Sequence, residues 1–335
     1  MKAVSYRRSG AIDRPESLVD TELPNPGATG RDLLVQVRAV AVNRIDCTIR
    51  FSARPESNHW KVLGWDVAGT VVAVGPECTH FRVGDPVFYA GAIDRPGANS
   101  QLHLVDERLV GRKPQSLDWA SAAAVPYAGI CAWEVLFERL NVPADGTQIL
   151  LVVGGSGSVG SCAIQLARKL TNLQVVATAS RAERAERLRA LGAHHVLNHA
   201  RPLAIQLQAL SIAEPRFVFC TTHTDQHSAD IAELIAPQGR LAVIDDPTAL
   251  PLPALKRKSV SIHLESVFTR SLFGTADRAS QGAILNELAR LFDAGAIQPP
   301  LIRPLGAINA ANLKQAHSLL ENGAAGERIV LHGWE

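Results

Sequence analysis

The chain has 335 residues, of which 47% are hydrophobic and 20% are charged, and its formal net charge is +2. At about 150 residues per domain, this length and ordinary globular composition favour two domains over one. No block of like charges stands out, so the charge gives no reason to expect a nucleic acid or an anionic membrane as the main partner. The sequence has no run of about 18 apolar residues and no apolar leader segment, so we expect neither a membrane span nor a signal peptide.

The first third of the chain has the pattern of a β structure. The segment LLVQVRAVAVN, residues 33–43, alternates between apolar and polar residues over much of its length, as a half-buried strand does. Three further short segments, GTVVAVG, VGDPVFYAG and SQLHLV, are separated by turns and loops. Short strands separated by turns predict a barrel or a sandwich.

From about residue 120 the pattern changes to alternating strands and helices. QILLVVGGSGSVGSCAIQLARKL combines an apolar run, a glycine turn and a helix, and LQVVATAS and RAERAERLRALGA repeat that order. The segments HHVLNH, RFVFCTT and GRLAVID continue the strands, and residues 259–268 are expected to be the last strand of this series. Continuous apolar strands that alternate with helices predict a parallel sheet covered on both faces. Two amphipathic helices, near residues 281–294 and 309–322, and a final strand, ERIVLHG, complete the chain.

The five cysteines are scattered along the chain and odd in number. Such a set fits a reducing compartment. We therefore expect a cytoplasmic protein whose thiols lie in or near the core.

The segment from Gly155 to Gly160 matches the pattern G-x-G-x-x-G between a strand and a helix, which is the context that a dinucleotide-binding turn requires. Gly155 is expected to allow the tight turn, Gly157 to let the backbone approach a pyrophosphate, and Gly160 to let the helix pack close to the strand. The start of the helix then offers unpaired N–H groups to the anion. The predicted contacts of the turn are Gly155, Ser156, Gly157, Ser158, Val159 and Gly160.

The end of the second strand of this series indicates which dinucleotide is bound. NAD sites place an acidic residue there to bind the ribose hydroxyls, but this strand ends in Ser180 and Arg181, with Arg184 one turn later. Guanidinium groups bind phosphate through paired hydrogen bonds, so the sequence favours NADPH over NADH. An alternative is that Ser180 caps the following helix with Glu183 in a capping box, and capping is compatible with phosphate binding.

Two pairs of histidines, His195 with His199 and His223 with His227, have a spacing of four residues and are candidate metal ligands. His195 falls at the start of a strand, where residues i and i+4 do not converge, so a metal site with His199 is not expected. His223 and Thr224 end a later strand on the cofactor side. We place them beside the nicotinamide ribose rather than on a metal.

These motifs resemble the medium-chain dehydrogenase/reductase superfamily, and within it the zinc-free quinone oxidoreductases, nearest to the subgroup labelled zinc-type alcohol dehydrogenase-like. The resemblance covers essentially the whole chain and rests on VNRIDCTIR, VLGWDVAGTVVAVG, FRVGDPVFYAG, GGSGSVGSCAIQLAR, LGAHHVLNH, APQGRLAVIDDP and RIVL. It implies an α/β fold in which residues 1–123 and 271–335 form a GroES-like β-barrel catalytic domain. Residues 124–270 would form a Rossmann domain with a doubly wound parallel sheet.

The resemblance has two further implications. It implies a homodimer or a tetramer, with residues 259–268 as the expected interface. Arg328 of the RIVL segment is added to the expected cofactor-binding residues.

The resemblance also allows the catalytic zinc of the related alcohol dehydrogenases to be compared residue by residue. At the positions of its three ligands this chain has Asn43, Trp65 and, by approximate matching, Tyr127, while Asp66 stands for a glutamate beside the second ligand. A catalytic zinc needs three protein ligands drawn from thiolate, imidazole and carboxylate groups. Residues 90–101 contain none of the four clustered cysteines of a structural zinc. We therefore expect no metal ligands and no zinc.

Without a metal, a quinone or an α,β-unsaturated carbonyl is the more suitable hydride acceptor, because conjugation spreads the developing negative charge. Asn43 and Tyr127 are expected to donate hydrogen bonds to the substrate oxygen, and Tyr127 is also a candidate proton donor. Asp46 is expected to orient its neighbours or Arg50, and Trp65 to fill the space of the absent metal and wall the pocket. Each has a structural alternative, namely a turn cap for Asn43, an ion pair with Arg50 for Asp46, and packing for the two aromatic residues.

The sequence thus predicts an NADPH-dependent reductase of quinones or α,β-unsaturated carbonyls. Two alternatives stay open. One is a zinc-dependent alcohol dehydrogenase with an unrecognised metal site, and the other is a weakly catalytic NADPH-binding protein that acts as a redox sensor. No nucleic acid is expected as a partner, because the sequence shows no basic cluster or aromatic platform of the usual kind.

Overall fold

The computed structural model describes residues 1–55, 59–323 and 326–334. The strands in this part of the chain are β1 (Lys2–Tyr6), β2 (Val19–Glu22), β3 (Asp32–Ala41), β4 (Lys61–Val62), β5 (Val67–Val74), β6 (Pro86–Tyr89), β7 (Leu102–Asp106), β8 (Gly111–Arg112), β9 (Ile149–Val153), β10 (Gln174–Thr178), β11 (His195–Leu197), β12 (Phe217–Cys220), β13 (Arg240–Val243), β14 (Ser261–Leu264), β15 (Ile302–Pro304) and β16 (Arg328–His332).

The α-helices of the same residues are α1 (Arg44–Ser52), α2 (Trp119–Ala123), α3 (Pro126–Trp133), α4 (Ser158–Leu170), α5 (Ala182–Ala190), α6 (Leu203–Ala209), α7 (Thr224–Leu234), α8 (Leu252–Arg257), α9 (Thr269–Leu272), α10 (Ser280–Asp293) and α11 (Ala310–Glu321). A π-helical segment, Glu134–Arg139, continues α3, and a short 3₁₀ helix, Glu107–Leu109, precedes β8.

The chain folds as two compact units. The first comprises Met1–Ile130 and Val267–Glu335, and the second comprises Cys131–Ser266. The predicted boundaries, after residues 123 and 270, lie a few residues from these. Helix α3 runs across the first boundary, so no loop or change in composition marks that point in the sequence.

The second unit, all of whose residues are described, is built on a parallel sheet with the strand order β11-β10-β9-β12-β13-β14. This is the order of a doubly wound dinucleotide-binding fold, and the order reverses between β9 and β12, where such folds bind ligands. Both of those strands are buried at every position, which is why they are continuous apolar runs in the sequence. The predicted Rossmann sheet is therefore confirmed.

The described residues of the first unit form mainly antiparallel β structure around the ten-residue strand β3, with β15 and β16 paired in parallel. This strand pairs with β5, β7 and β16, and a smaller sheet has the order β2-β1-β4. The alternation read from the sequence appears as alternating burial along β3. Two register shifts against β5 bend the strand, as β-bulges do. The predicted β-rich first third is confirmed.

One predicted strand is shorter than expected. Residues 259–268 contain only β14, four residues at the edge of the parallel sheet. Ser259 has a φ of +52°, so the chain is still turning there, and after Leu264 it leads towards α9. The interface role predicted for residues 259–268 stays a prediction.

Two general expectations can be compared with the described residues. Each of the five cysteines is a free thiol, and Cys47, Cys131 and Cys220 are buried. No helix in the described ranges combines the length and the apolar character needed to cross a membrane.

Candidate active site

In the glycine turn between β9 and α4, the surroundings of the first two glycines, Gly154 and Gly155, leave little space for a side chain. Gly154 has a φ of +81°, and a Cβ added there would lie 2.4 Å from the hydroxyl of Thr221, so the position requires glycine. The tight turn is thus made by Gly154, and the prediction that Gly155 makes it is wrong. Gly155 is a buried position whose added Cβ would press on three apolar side chains at 3.1–3.2 Å. Val159 is also buried and packs in the core.

The remaining glycines of the turn differ in what surrounds them. A Cβ on Gly160 would lie 2.6 Å from the carbonyl of Gly154, whereas a Cβ on Gly157 would meet the same carbonyl at an ordinary 3.5 Å. No contact around Gly157 therefore requires glycine, and a small residue there leaves room for a ligand. Helix α4 begins at Ser158 without a side-chain cap, so its first N–H groups have no partner within the helix. Ser156 and Ser158 are half-exposed, and this end of the helix attracts an anion.

The tip of β10 carries the residues predicted to bind a 2′-phosphate. Ser180 and Arg181 are exposed, and α5 begins at Ala182 with Arg181 as its N-cap and no side-chain cap hydrogen bond. The alternative that Ser180 caps the helix with Glu183 is therefore wrong, because the helix starts one residue later than that motif requires. Arg184 is half-buried within α5. No acidic residue precedes Glu183 at this tip.

The two residues predicted to lie beside the nicotinamide ribose, His223 and Thr224, follow β12 and differ in their exposure. His223 is exposed, has a left-handed φ of +54°, and places its Nδ1 2.8 Å from the hydroxyl oxygen of Thr222. Thr224 is buried, and its N–H and hydroxyl both donate to the carboxylate of Asp245. His223 is thus available to a ligand, whereas the Thr224 side chain is engaged within the protein.

In the first unit, the predicted residues converge on a buried carboxylate, Asp66. Its Oδ1 accepts the backbone N–H of Tyr127 at 2.9 Å, and its Oδ2 accepts Nδ2 of Asn43 at 3.2 Å and Nη2 of Arg328. Arg328 also donates from Nη1 to Oδ1 of Asn43 at 2.7 Å. We call Asn43, Asp66 and Arg328 the Asp66 cluster. It joins the starts of α1, α3 and β16.

These contacts bear on two of the predicted roles. Both ends of the Asn43 amide are engaged within the cluster, so Asn43 acts here as a positioning residue, and its substrate contact stays a prediction. The cofactor contact predicted for Arg328 also stays a prediction. Its Nε is buried and has no hydrogen-bond partner among the described residues.

Asp46 is occupied in the same way. It is 1% exposed, its Oδ2 accepts the backbone N–H of Asn43 at 2.7 Å, and its Oδ1 accepts that of Gly64 at 3.0 Å. The alternative of an ion pair with Arg50 is wrong, because Arg50 pairs with Glu321 instead. Asp46 thus closes the first turn of α1 and ties it to the segment that carries Asp66.

Both buried carboxyl groups have raised pKa values. Burial raises the pKa of Asp46 to about 7, hydrogen bonds from backbone N–H groups oppose the shift, and the charge of Asp66 adds to it. Burial raises the pKa of Asp66 to about 6, and the Arg328 guanidinium is the main opposing influence. The protonation of this region therefore changes near neutral pH.

The aromatic residues divide into one core residue and one half-buried residue. Trp65 is 0% exposed, donates from Nε1 to the carbonyl of Ala92 at 3.0 Å, and packs edge-on against Phe268 with ring centroids 6.3 Å apart. Trp65 is therefore a core residue and not an open pocket wall. Tyr127 is half-buried, with its ring centroid 5.8 Å from that of Phe268. Of the predicted catalytic residues Asn43, Asp46, Trp65 and Tyr127, only Tyr127 keeps substantial exposed surface.

The side chains at the positions matched to zinc ligands do not fit a zinc site. Asn43 is an amide held by Arg328, Trp65 is a buried indole, and Asp66 is paired with the guanidinium. Within the described ranges, no three His, Cys, Asp or Glu side chains are grouped to hold a metal ion. The absence of zinc itself stays a prediction.

Sequence reasoning missed two features of the site. Gly154 had a visible signal, since it is an extra glycine directly before the recognised pattern. The pairing of Asp66 with Arg328 had none, because the two residues are 262 positions apart and only the fold brings them together.

Comparison with known proteins places the chain in a family. Residues 29–115 match the alcohol dehydrogenase GroES-like domain, and residues 158–281 match the zinc-binding dehydrogenase family. A zinc-type alcohol dehydrogenase-like protein of Staphylococcus aureus is 33% identical over 99% of this chain and 100% of its own length. The chain belongs to the medium-chain dehydrogenase/reductase superfamily. The predicted α/β fold, with a GroES-like domain and a Rossmann domain, is confirmed for this dehydrogenase/reductase.

Other similar proteins extend the comparison. A structure of a Rhizobium etli protein of the zinc-dependent alcohol dehydrogenase type is 54% identical, covers 100% of this chain and 98% of its own, and has a TM-score of 0.96. A mycobacterial protein solved in complex with NADPH is 25% identical, covers 99% and 100% of the two chains, and has a TM-score of 0.83. A 2-methylene-furan-3-one reductase of Solanum lycopersicum is 28% identical over 99% of this chain and 79% of its own length. The chain is thus an oxidoreductase.

The raised pKa of Asp46 predicts a specific pH dependence of stability. Because the pKa is raised on folding, the protonated carboxyl group stabilises the fold fully below its ordinary pKa of 3.8, and this contribution is lost as pH rises through about 7. Asp46→Asn cannot ionise. Its thermal unfolding midpoint, measured from pH 5 to pH 8, should therefore rise relative to that of the wild type as pH increases.

The exposed Asp13 provides a control. The midpoint of Asp13→Asn should follow the wild type over the same range. Parallel curves for Asp46→Asn and the wild type would show that Asp46 does not take up a proton on folding.

Proposed function

We propose that this dehydrogenase/reductase transfers hydride from NADPH to quinones or α,β-unsaturated carbonyls without a catalytic metal. The observation that carries the proposal is the tip of β10, where Ser180 and Arg181 are exposed beyond the strand and no carboxylate precedes Glu183. A guanidinium and a hydroxyl bind a phosphate well, whereas the acidic partner of a free ribose 2′-hydroxyl is missing.

Two similar proteins support the choice of cofactor and acceptor. The mycobacterial protein at 25% identity was solved with NADPH, and the tomato relative at 28% identity is named for the reduction of an unsaturated furanone. A conjugated ketone of that kind needs less electrophilic help than a simple ketone, because the charge left by hydride addition is delocalised.

The residues of the glycine turn fit the cofactor. A dinucleotide in this site supplies the hydride. The open position at Gly157 lets the backbone approach a pyrophosphate, and the uncapped start of α4 directs its N–H groups and positive dipole end to that anion. Arg181 and Ser180 then select the phosphorylated ribose, and His223 is available beside the switch point of the sheet.

On the substrate side, the acceptor gains a hydride and a proton, and its oxygen needs a hydrogen-bond donor. Tyr127 is the candidate, since it is half-buried and its phenolic hydroxyl can donate a hydrogen bond or a proton. The Asp66 cluster positions it through the backbone N–H of Tyr127. In this proposal Asp46 acts through that framework without touching the substrate, and the substrate contact of Asn43 stays a prediction.

The Asp66–Arg328 pair also supports chemistry without a metal. The buried carboxylate of Asp66 would attract a cation, and Arg328 already provides one. The guanidinium of Arg328 is always positively charged and is not a metal ion that could activate a substrate. Both oxygens of the Asp66 carboxylate therefore have hydrogen-bond partners within the protein.

Arg181→Ala tests the cofactor assignment. Loss of a charged hydrogen-bonding partner should weaken NADPH binding by about tenfold or more and change NADH binding by less than about twofold. Dissociation constants can be measured by nucleotide fluorescence. Arg189→Ala, an exposed arginine in the last turn of the same helix, is the matched control and should change neither value. Equal losses for both dinucleotides in Arg181→Ala would contradict the assignment.

Tyr127→Phe tests the proton donor. The variant keeps the backbone N–H that binds Asp66 and the ring that packs on Phe268, and removes only the hydroxyl. We expect kcat with an enone to fall by about tenfold to a hundredfold, while the dissociation constant for NADPH stays the same. An unchanged kcat would remove Tyr127 from the mechanism.

Removal of metal ions tests the proposal that catalysis needs no zinc. Protein purified without added zinc should reduce members of a panel of small quinones and enones with NADPH, and dialysis against a chelator should leave the rate unchanged. Metal content is measured by mass spectrometry on the same samples. One tight zinc per chain, with activity lost on stripping, would support the alcohol dehydrogenase alternative. Binding of NADPH without turnover of any acceptor would support the redox sensor.

A further inference from the structure

Three histidines gather at the carboxyl edge of the parallel sheet, and the proposed reaction does not use them together. His199 follows β11, His223 precedes α7, and His227 lies in the second turn of α7. The rings of His199 and His227 have centroids 5.8 Å apart with planes at 58°. Nδ1 of His199 lies 3.3 Å from the hydroxyl oxygen of Thr178. All of these residues belong to the second unit.

The strand register places His199 beside the predicted phosphate site. Thr178 at the end of β10 pairs with Leu197 at the end of β11, so residues two positions further along, Ser180 and His199, emerge side by side. The hydroxyl of Thr178 also accepts the backbone N–H of Gly154 at 3.0 Å. The imidazole of His199 therefore adjoins both the glycine turn and the strand tip that carries Ser180.

Burial and the charged groups around His199 and His227 determine the protonation of these two imidazoles when no ligand is bound. Burial lowers the pKa of His199, and His227, His223 and Arg184 lower it further. Burial also lowers the pKa of His227, as does His223, while Asp230 and Asp245 oppose the shift.

The two carboxylates near His227 are already engaged within the protein. Asp230 accepts the N–H of Leu203, and Asp245 accepts two hydrogen bonds from Thr224. The pair is thus a cluster of neutral imidazoles next to an arginine, and a nearby anion is what would favour its protonation.

Building on the proposed preference for NADPH, we propose that His199 is a further specificity-determining residue, whose imidazole, coupled to His227, takes up a proton when the 2′-phosphate binds. The proton comes from solvent, and no bond to the phosphate is formed or broken. The resulting imidazolium adds a positive charge beside Arg181 and Arg184. A dinucleotide that lacks the 2′-phosphate does not favour protonation of the imidazole. The preference for NADPH over NADH therefore strengthens as pH falls towards neutrality.

Calorimetry of the full-length protein tests this directly. NADPH and NADH are titrated at pH 7.5, where a phosphate with a second pKa of about 6 is already a dianion, in buffers of different ionisation enthalpy. We expect NADPH binding to take up a measurable fraction of a proton that NADH binding does not. NADPH affinity should also fall as pH rises from 7 to 8.5, by at most about tenfold per pH unit for one proton.

His199→Gln should abolish both the proton uptake and the pH dependence while keeping part of the NADPH preference that Arg181 provides. His195→Gln is the matched control, since His195 starts the same strand at the opposite edge of the sheet, and it should behave like the wild type. A measurement on the wild type alone guards against a folding defect, because the imidazole proton resonance of His199 should titrate at a higher pH with NADPH bound than without it.

The outcomes separate the two proposals. If NADPH is preferred but no differential proton uptake occurs, or if His199→Gln retains it, the role of His199 is wrong and the proposed function stands. If the wild type binds NADPH and NADH equally well, the cofactor assignment fails and the role of His199 fails with it.

Discussion

The pairing of Asp66 with Arg328 is the constraint on which the first unit depends. A carboxylate with no exposed surface is costly to bury unless it is paired and fully hydrogen-bonded, and Asp66 is bonded to an arginine, an amide and a backbone N–H. Because these partners come from the starts of β16, α1 and α3, satisfying one charge fixes three elements. The half-buried Tyr127 takes its position from the same carboxylate. The side chains of Asn43 and Asp66 are thus engaged in hydrogen bonds within the protein.

The second unit relies on backbone geometry rather than on a buried charge. Its sheet has the order of a doubly wound fold, and the turn after β9 is shaped by Gly154 and by the close contact at Gly160. These are steric demands that any sequence with this turn must meet. Gly157 is different, because its neighbours do not require it. That contrast separates the glycines that the fold requires from the one whose surroundings leave space.

Much of this arrangement was predictable because it is local. Strand alternation, the βα repeat and the glycine pattern each occupy a short window, so β3, the parallel sheet and the turn were predicted with nearly correct bounds. Residues at the tip of β10 were predictable for the same reason. The errors came where a tertiary contact or one residue of register decides the outcome, as with the capping of α5, the strand expected over residues 259–268, and the partner of Arg50. The roles of Asn43 and Asp46 depend on a carboxylate and a guanidinium far apart in sequence, which no pattern in a window can reveal.

The position of Arg328 near the end of the chain also has a consequence for biogenesis. The second unit is a continuous segment, Cys131–Ser266, whereas the first needs both Met1–Ile130 and the residues after Val267. During synthesis, Asp66 leaves the ribosome long before its guanidinium partner exists, while the parallel sheet already has all of its strands. Since domains fold as they emerge, the second unit is expected to fold first and the first unit to complete its fold last. The C-terminal strand β16, which carries Arg328, is then the last strand to join the first unit.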